Sequence, residues 1–334
     1  MKKILFLVLL FSSTTYGQQA ATDKLMSPRM RVIIDNDFGG DPDGLFQLVH
    51  ILLSPSVDVR AVIGSHLRFD DGFDRSKTQA ANAANKAREL MQIMGITNVP
   101  VLTGSNTAMI DDSTAVKSEA VDFIIKEASR TDTPLPLFVL CGAGLTEIAS
   151  ALLTSPTIAD KLTLIWIGGP EYTDLAFPPP GYSKIEYNLN IDLAAGRAVF
   201  NRSRIPIWQV PRNAYRQAIT PYAQLVLQVK SKGKTGSYLV EQIENVMRAG
   251  QRFHFNIGET YILGDSPLVL LTALQSTFEA DPSSSEYVVK TAPLINTEGL
   301  YEYNSKGRNI RVYTRLDIRL MLDDFFAKLA LLNR

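Results

Sequence analysis

One cysteine, two tryptophans and three histidines are all that this 334-residue chain has of those residues. A single cysteine, Cys141, excludes an internal disulfide, and so few histidines leave no cysteine–histidine cluster for zinc. Charge of one sign is also lacking in excess: 34 Lys and Arg balance 34 Asp and Glu. That balance argues against a nucleic-acid or membrane surface. The first residues, MKKILFLVLLFSSTTYGQQ, run from two lysines through a short apolar stretch to small and polar residues. The stretch is too short to span a bilayer as a helix. Its layout is that of a secretory signal peptide, with cleavage expected near Gly17. We therefore read 1–19 as a signal peptide and expect export, to a periplasm, of a protein stable without disulfides. Cys141 lies too far downstream to be a lipid-modified N-terminal cysteine.

What is present suits a large core. Hydrophobic residues make up 46% of the chain, and the length fits one large α/β domain, expected over 28–334. Strand-like and helix-like stretches alternate: RVIID, then DGLFQLVHILLS; DVRAVIGS, then a long helix ending at a glycine; PLFVLCGAG, then LTEIASALL; KLTLIWIGG, then a loop rich in proline and aromatics. Residues 213 to 263 read as largely helical, and the tail as a strand and a terminal helix. The fold class that follows is α/β: a mostly parallel twisted sheet flanked by helices on both faces. Ligands of such sheets bind beyond the carboxyl ends of the strands.

At one of those ends stands IIDNDFGGDPDGLFQL, with Asp35, Asp37, Asp41 and Asp43 between apolar flanks. Like charges this close raise one another's pKa or need a cation between them. Asp37 and Asp41 flank a Phe-Gly-Gly turn whose glycines permit the carboxylates to converge. Oxygen-only ligands suit calcium or magnesium.

Four landmarks occur in order: DNDFGGDPDG, LCGAGLTEIA, IGGPEY…EYNLNIDLAAGRAVF and GDSPLVLL. On these the chain resembles the inosine–uridine-type nucleoside hydrolases from about residue 31 onward. The resemblance implies hydrolysis of the N-glycosidic bond of a small-molecule nucleoside or riboside, with Ca2+ as cofactor. It implies that Asp37, Asp43, a backbone carbonyl at or beside Cys141, and Asp265 hold the ion. One acid of the first motif would take a proton from the attacking water. Keeping the loop spacing makes Asp41 that base and Asp43 a metal ligand, the placement we adopt because it retains every charge the cation requires. Keeping the helix register instead makes Asp43 the base and leaves Gly44 where a ligand should be. Asp35 would orient the other acids. Glu186 and Asn188 match the ribose-contacting pair. His66 follows a strand end that faces the sugar in the family. Gly264 stands where the family has its leaving-group histidine, which makes His254, and more weakly Tyr261, the candidate replacement. Tyr172, Phe177 and Tyr182 in the aromatic loop would stack on a base.

Two other readings compete. One is a non-catalytic carbohydrate- or nucleoside-binding relative, suggested by Gly44 and Gly264. The other is a phosphatase with an aspartyl nucleophile, whose motif order DNDFGG and LGDS imitate. By analogy with the family a homo-oligomer is open, and no nucleic-acid or membrane partner is expected.

Overall fold

The computed structural model describes residues 25–182, 185–252, 254–276 and 284–332. The 1–19 segment read as a signal peptide lies outside the described residues. Strand β1 (Met30–Asn36) runs through the middle of an eight-stranded sheet, and its alternate residues feed two cores. Val32 and Ile34 pack into one apolar layer and Ile33 into the other. A strand buried on both faces needs helices on both sides of the sheet. The other strands are β2 (Val57–Gly64), β3 (Val101–Thr103), β4 (Leu137–Cys141), β5 (Leu162–Ile167), β6 (Ile207–Val210), β7 (Glu286–Thr291) and β8 (Asn309–Arg315). Their order is β3-β2-β1-β4-β5-β6-β8-β7. Every pair is parallel except β7 with β8, where β7 closes the edge antiparallel.

The main helices are α1 (Asp43–Leu52), α2 (Gln79–Ile93), α3 (Glu119–Ala128), α4 (Thr146–Thr154), α5 (Tyr187–Ile191), α6 (Gly233–Arg252) and α7 (Ile318–Leu332). One face of the sheet is covered by α1, α2, α6 and α7, through residues such as Leu48, Leu90, Val240 and Phe325. The other is covered by α3 and α4 through Ile124 and Ile148. Helix α3 starts where Ser118 Oγ accepts from the Val121 amide at 3.2 Å, one of the donors a helix start leaves free.

The stretch from 213 to 263 departs from the helical expectation. Ile219–Pro221 pairs antiparallel with Thr260–Ile262, so a small hairpin-like ribbon carries the chain back to Gly264 and Asp265. Pro221 has no N–H to continue a helix, which favours the extended form there.

Register levels the strand ends. Asp35 lies beside Ile63 and Cys141, Cys141 beside Trp166, and Ile167 beside Val210. The chain winds from β1 toward β3 on one side and from β4 toward β6 on the other. The reversal leaves a crevice beyond β1 and β4, the place where open α/β sheets bind ligands.

Candidate active site

Beyond the ends of β1, β4 and β5 lies a cavity of about 300 Å³. Asp37, Asp41, Asp43 and Asp265 line it together with Glu186 and Asn188. Four of the acids come from two places far apart in sequence. Asn36, at the end of β1, joins them: its Nδ2 donates to Asp265 Oδ2 at 2.9 Å, and its Oδ1 accepts from the Asp37 amide at 2.8 Å.

Two glycines make room for that asparagine. A β-carbon on Gly44 would stand 2.9 Å from Asn36 Nδ2, and one on Gly142 would stand 2.5 Å from it. Such contacts are closer than packed atoms tolerate. Gly44 is therefore a slot for the Asn36 amide, and in the helix register no acid fits at that position. The side chain at Asp43, at the start of α1, instead reaches the cavity.

Burial dominates the electrostatics. It pushes the Asp37 and Asp43 carboxyls well above the usual carboxylate range, with Asp265 and Asp41 adding repulsion at both. Asp265 is pushed up to about 7 by burial, against the Asn36 hydrogen bond. Asp41 stands at the mouth, much of the residue open to solvent. Burial of its carboxyl still raises it to about 6, opposed by the Tyr261 hydroxyl, which donates to Asp41 Oδ1 at 2.9 Å. Tyr261 is thereby committed to the acid.

Behind the site Asp35 is fully buried and accepts a hydrogen bond from the Ser65 hydroxyl. Burial lifts it to about 7. Glu147 of α4, also buried, accepts from the Ser105 amide at 2.7 Å and is raised to about 8 by burial and by Asp35. Sequence reasoning missed Glu147: an acid inside an apolar helix pattern was the signal.

Glu186 and Asn188 sit at the start of α5. Glu186 Oε1 accepts from the Tyr215 hydroxyl at 2.9 Å, and Oε2 accepts from the Gly169 and Leu189 amides at 2.8 and 3.0 Å. Asn188 Nδ2 donates to the carbonyls of Gly142 and Ile167 at 3.1 and 2.7 Å. Gly142, beside Cys141, lines the cavity. The Cys141 thiol faces the core and donates to Gly144 O at 3.0 Å.

The structure does not bring the two candidate histidines into the cavity. Both ring nitrogens of His66 are engaged, Nδ1 with Leu67 O at 2.7 Å and Nε2 with Thr146 Oγ1 at 3.0 Å. His254 is exposed, in a left-handed turn after α6 with φ 58°. In the aromatic loop, Tyr172 is buried on Gln209 and Phe177 points into solvent, so Tyr182 alone of the three lines the cavity. The space beside Gly264 is taken by others: a β-carbon there would lie 3.1 Å from Asp43 Oδ2 and 3.4 Å from the Tyr215 ring. Tyr215 and Arg216, unmarked by any motif, also line the cavity.

An all-oxygen donor set with raised carboxyl pKa values is the chemistry of a hard-cation site. Among the described residues no three Asp, Glu, His or Cys side chains already converge as a metal cage. The donors fit a hard cation in kind.

An open α/β sheet with an acidic cavity at its switch point is the arrangement of a ligand-binding α/β protein. The model of the inosine-uridine preferring nucleoside hydrolase family matches residues 32–323, and the chain belongs to that family. It is thereby an N-glycosyl hydrolase by class, which displaces the phosphatase alternative. Its fold is similar to that of a purine-preferring ribonucleoside hydrolase from Gardnerella vaginalis, at 19% identity and TM-score 0.68, covering 91% of this chain and 99% of that one. An inosine-uridine preferring nucleoside hydrolase from Bacillus anthracis is similar at 17% identity and TM-score 0.65, over 90% and 99% of the two chains. The type III effector protein XopQ, solved in complex with adenosine diphosphate ribose, matches at 15% identity and TM-score 0.61, over 94% and 98%. No match emerges from a search of characterised protein sequences.

Proposed function

We propose that this protein is an exported, calcium-dependent hydrolase that cleaves the N-glycosidic bond of ribonucleosides or related ribosides to ribose and base. The observation that carries the reading is the meeting of Asp37, Asp41, Asp43 and Asp265 with Glu186 and Asn188 in one cavity. Asp37, Asp43, Asp265 and a backbone carbonyl at or beside Cys141 would hold the calcium ion. Calcium held there would neutralise the carboxyls and make a water more acidic.

The chain's own residues do the rest. Asp41, oriented by Tyr261, is the general base; a carboxyl near 6 is ionised at neutral pH yet basic enough to accept a water proton. The water attacks the anomeric carbon as the sugar takes on oxocarbenium character. Asn188 Oδ1, which accepts no hydrogen bond from the described residues, is available to a ribose hydroxyl. Glu186 holds Tyr215 against the cavity wall. Gly264 has no proton to give, so the base departs without a histidine acid and good leaving groups are favoured.

A second reading is a binding relative without turnover. Gly264, which has no proton to give a leaving group, favours it. Incubation with inosine, uridine and p-nitrophenyl riboside, with calcium or chelator, separates the two. Calcium-dependent release of p-nitrophenol, with inosine slower by at least about 10²-fold for want of an acid, supports the hydrolase. Tight riboside binding with no product in any arm supports the binding relative.

A further inference from the structure

Arg216 lines the same acidic cavity; among the described residues it makes no salt bridge and no side-chain hydrogen bond, although Glu171 lies near enough to feel its charge. Its Nε is buried without a partner. A buried donor left unmet costs stability, and among the described residues the two terminal nitrogens are unbonded as well. The neighbouring Arg212 behaves differently: its Nε and Nη2 donate to Glu171 at 2.8 and 2.6 Å. Both guanidinium groups stack on the Tyr182 ring, with Arg216 4.5 Å and Arg212 5.3 Å from its centroid. Arg212 is thus anchored by Glu171, and Tyr182 in turn holds Arg216 in place. On the same wall Asp43 packs against Gly264 and Asp265 against Gly142.

We propose that Arg216 is the anion-binding group of this cavity and that the substrate is a riboside carrying a phosphate on its sugar. A guanidinium cannot serve as the missing acid, because it does not give up its proton at neutral pH. It can present a planar fork of N–H donors to phosphate oxygens, the geometry in which arginine binds best. Tyr182 covers one guanidinium face, and because Nε is buried the contact falls to the two terminal nitrogens, which are not.

The proposal rests on the riboside reading of the cavity. Calorimetric titration of the calcium-loaded protein with ribose, ribose 5-phosphate and inorganic phosphate tests it. Ribose 5-phosphate should bind at least about tenfold more tightly than ribose, a difference one charged fork contact supplies. Arg216→Gln should bring ribose 5-phosphate down to the ribose level without lowering Tm. Arg216→Lys, which keeps the charge but loses the fork, should retain part of the preference. Equal affinity for the two sugars in the native protein overturns the phosphate assignment while leaving the riboside reading intact. Binding of neither sugar overturns both. Inorganic phosphate binding as tightly as ribose 5-phosphate overturns the assignment of the anion to a substrate.

Discussion

Replacing Gly44 by alanine should destabilise the protein, against the ordinary direction for a glycine inside a helix. In a plain helix the change is worth about 0.5–1 kcal/mol in favour of alanine. Here the new β-carbon would stand 2.9 Å from Asn36 Nδ2 and about as close to the rest of the amide. The amide cannot retreat without releasing Asp265 Oδ2, which it holds at 2.9 Å. A hydrogen bond to a charged partner contributes about 1.5–3 kcal/mol, and the residue left behind is a buried carboxyl. The lost bond outweighs the helix gain, for a net cost of about 1–2 kcal/mol and, in a domain of this size, a fall in Tm of about 1–2 °C per kcal/mol. Differential scanning calorimetry of four proteins gives the answer: native, Gly44→Ala, Asn36→Ala and the double variant. With Asn36 truncated the slot is empty, so Gly44→Ala should turn neutral or stabilising. The cycle should therefore show a coupling of about 1–3 kcal/mol. A Gly44→Ala protein that melts higher than the native one, or effects that simply add, would refute the steric argument.

Calcium should raise Tm in the native protein, by about 2.7 kcal/mol of stability at a hundredfold excess over Kd. Asp37→Asn and Asp265→Asn should lose that rise, whereas Asp41→Asn should keep it and lose about 10²–10⁴-fold in turnover; a base at Asp43 would exchange the behaviour of Asp41 and Asp43. In chelator, stability should fall as pH rises. Glu147 is raised from 4.5 to about 8 in the folded protein, so the native state holds a proton that the unfolded chain releases sooner. Stability is then full below about pH 4.5 and declines up to about pH 8. Asp35 and Asp265, both raised to about 7, add to the same decline, so Glu147→Gln should reduce but not abolish the stability difference between pH 5 and 8 in chemical unfolding, and an unchanged difference would remove Glu147 as a contributor. The mature N-terminus, by intact mass of a periplasmic fraction, should fall near Gln18; a mass retaining Lys2 and Lys3 would overturn the export reading.

Local features were legible in the chain. The period of apolar residues marks β1, α1, β4 and α4, because a parallel sheet buries its strands on both faces and leaves an unbroken apolar run. The acids of the first motif also declare themselves, since their glycine turn and their strand end are contiguous in sequence. Asn36, Gly44, Gly142 and Asp265 are another matter. Asn36 and Asp265 are 229 residues apart, and no local pattern says that two glycines clear space for one amide between them. The same holds for Tyr215 and Arg216, set by the Arg212–Tyr215 turn after β6, and for His66 and His254, whose chemistry suited a pocket that the backbone turns them away from. Which residues share a cavity depends on strand order and register, and these follow from the packing of all the helices at once. The chain by itself thus determined the main strands and helices around β1 and β4 and the acids of the first motif, while tertiary structure decided which side chains, Glu147 included, face one another across the crevice.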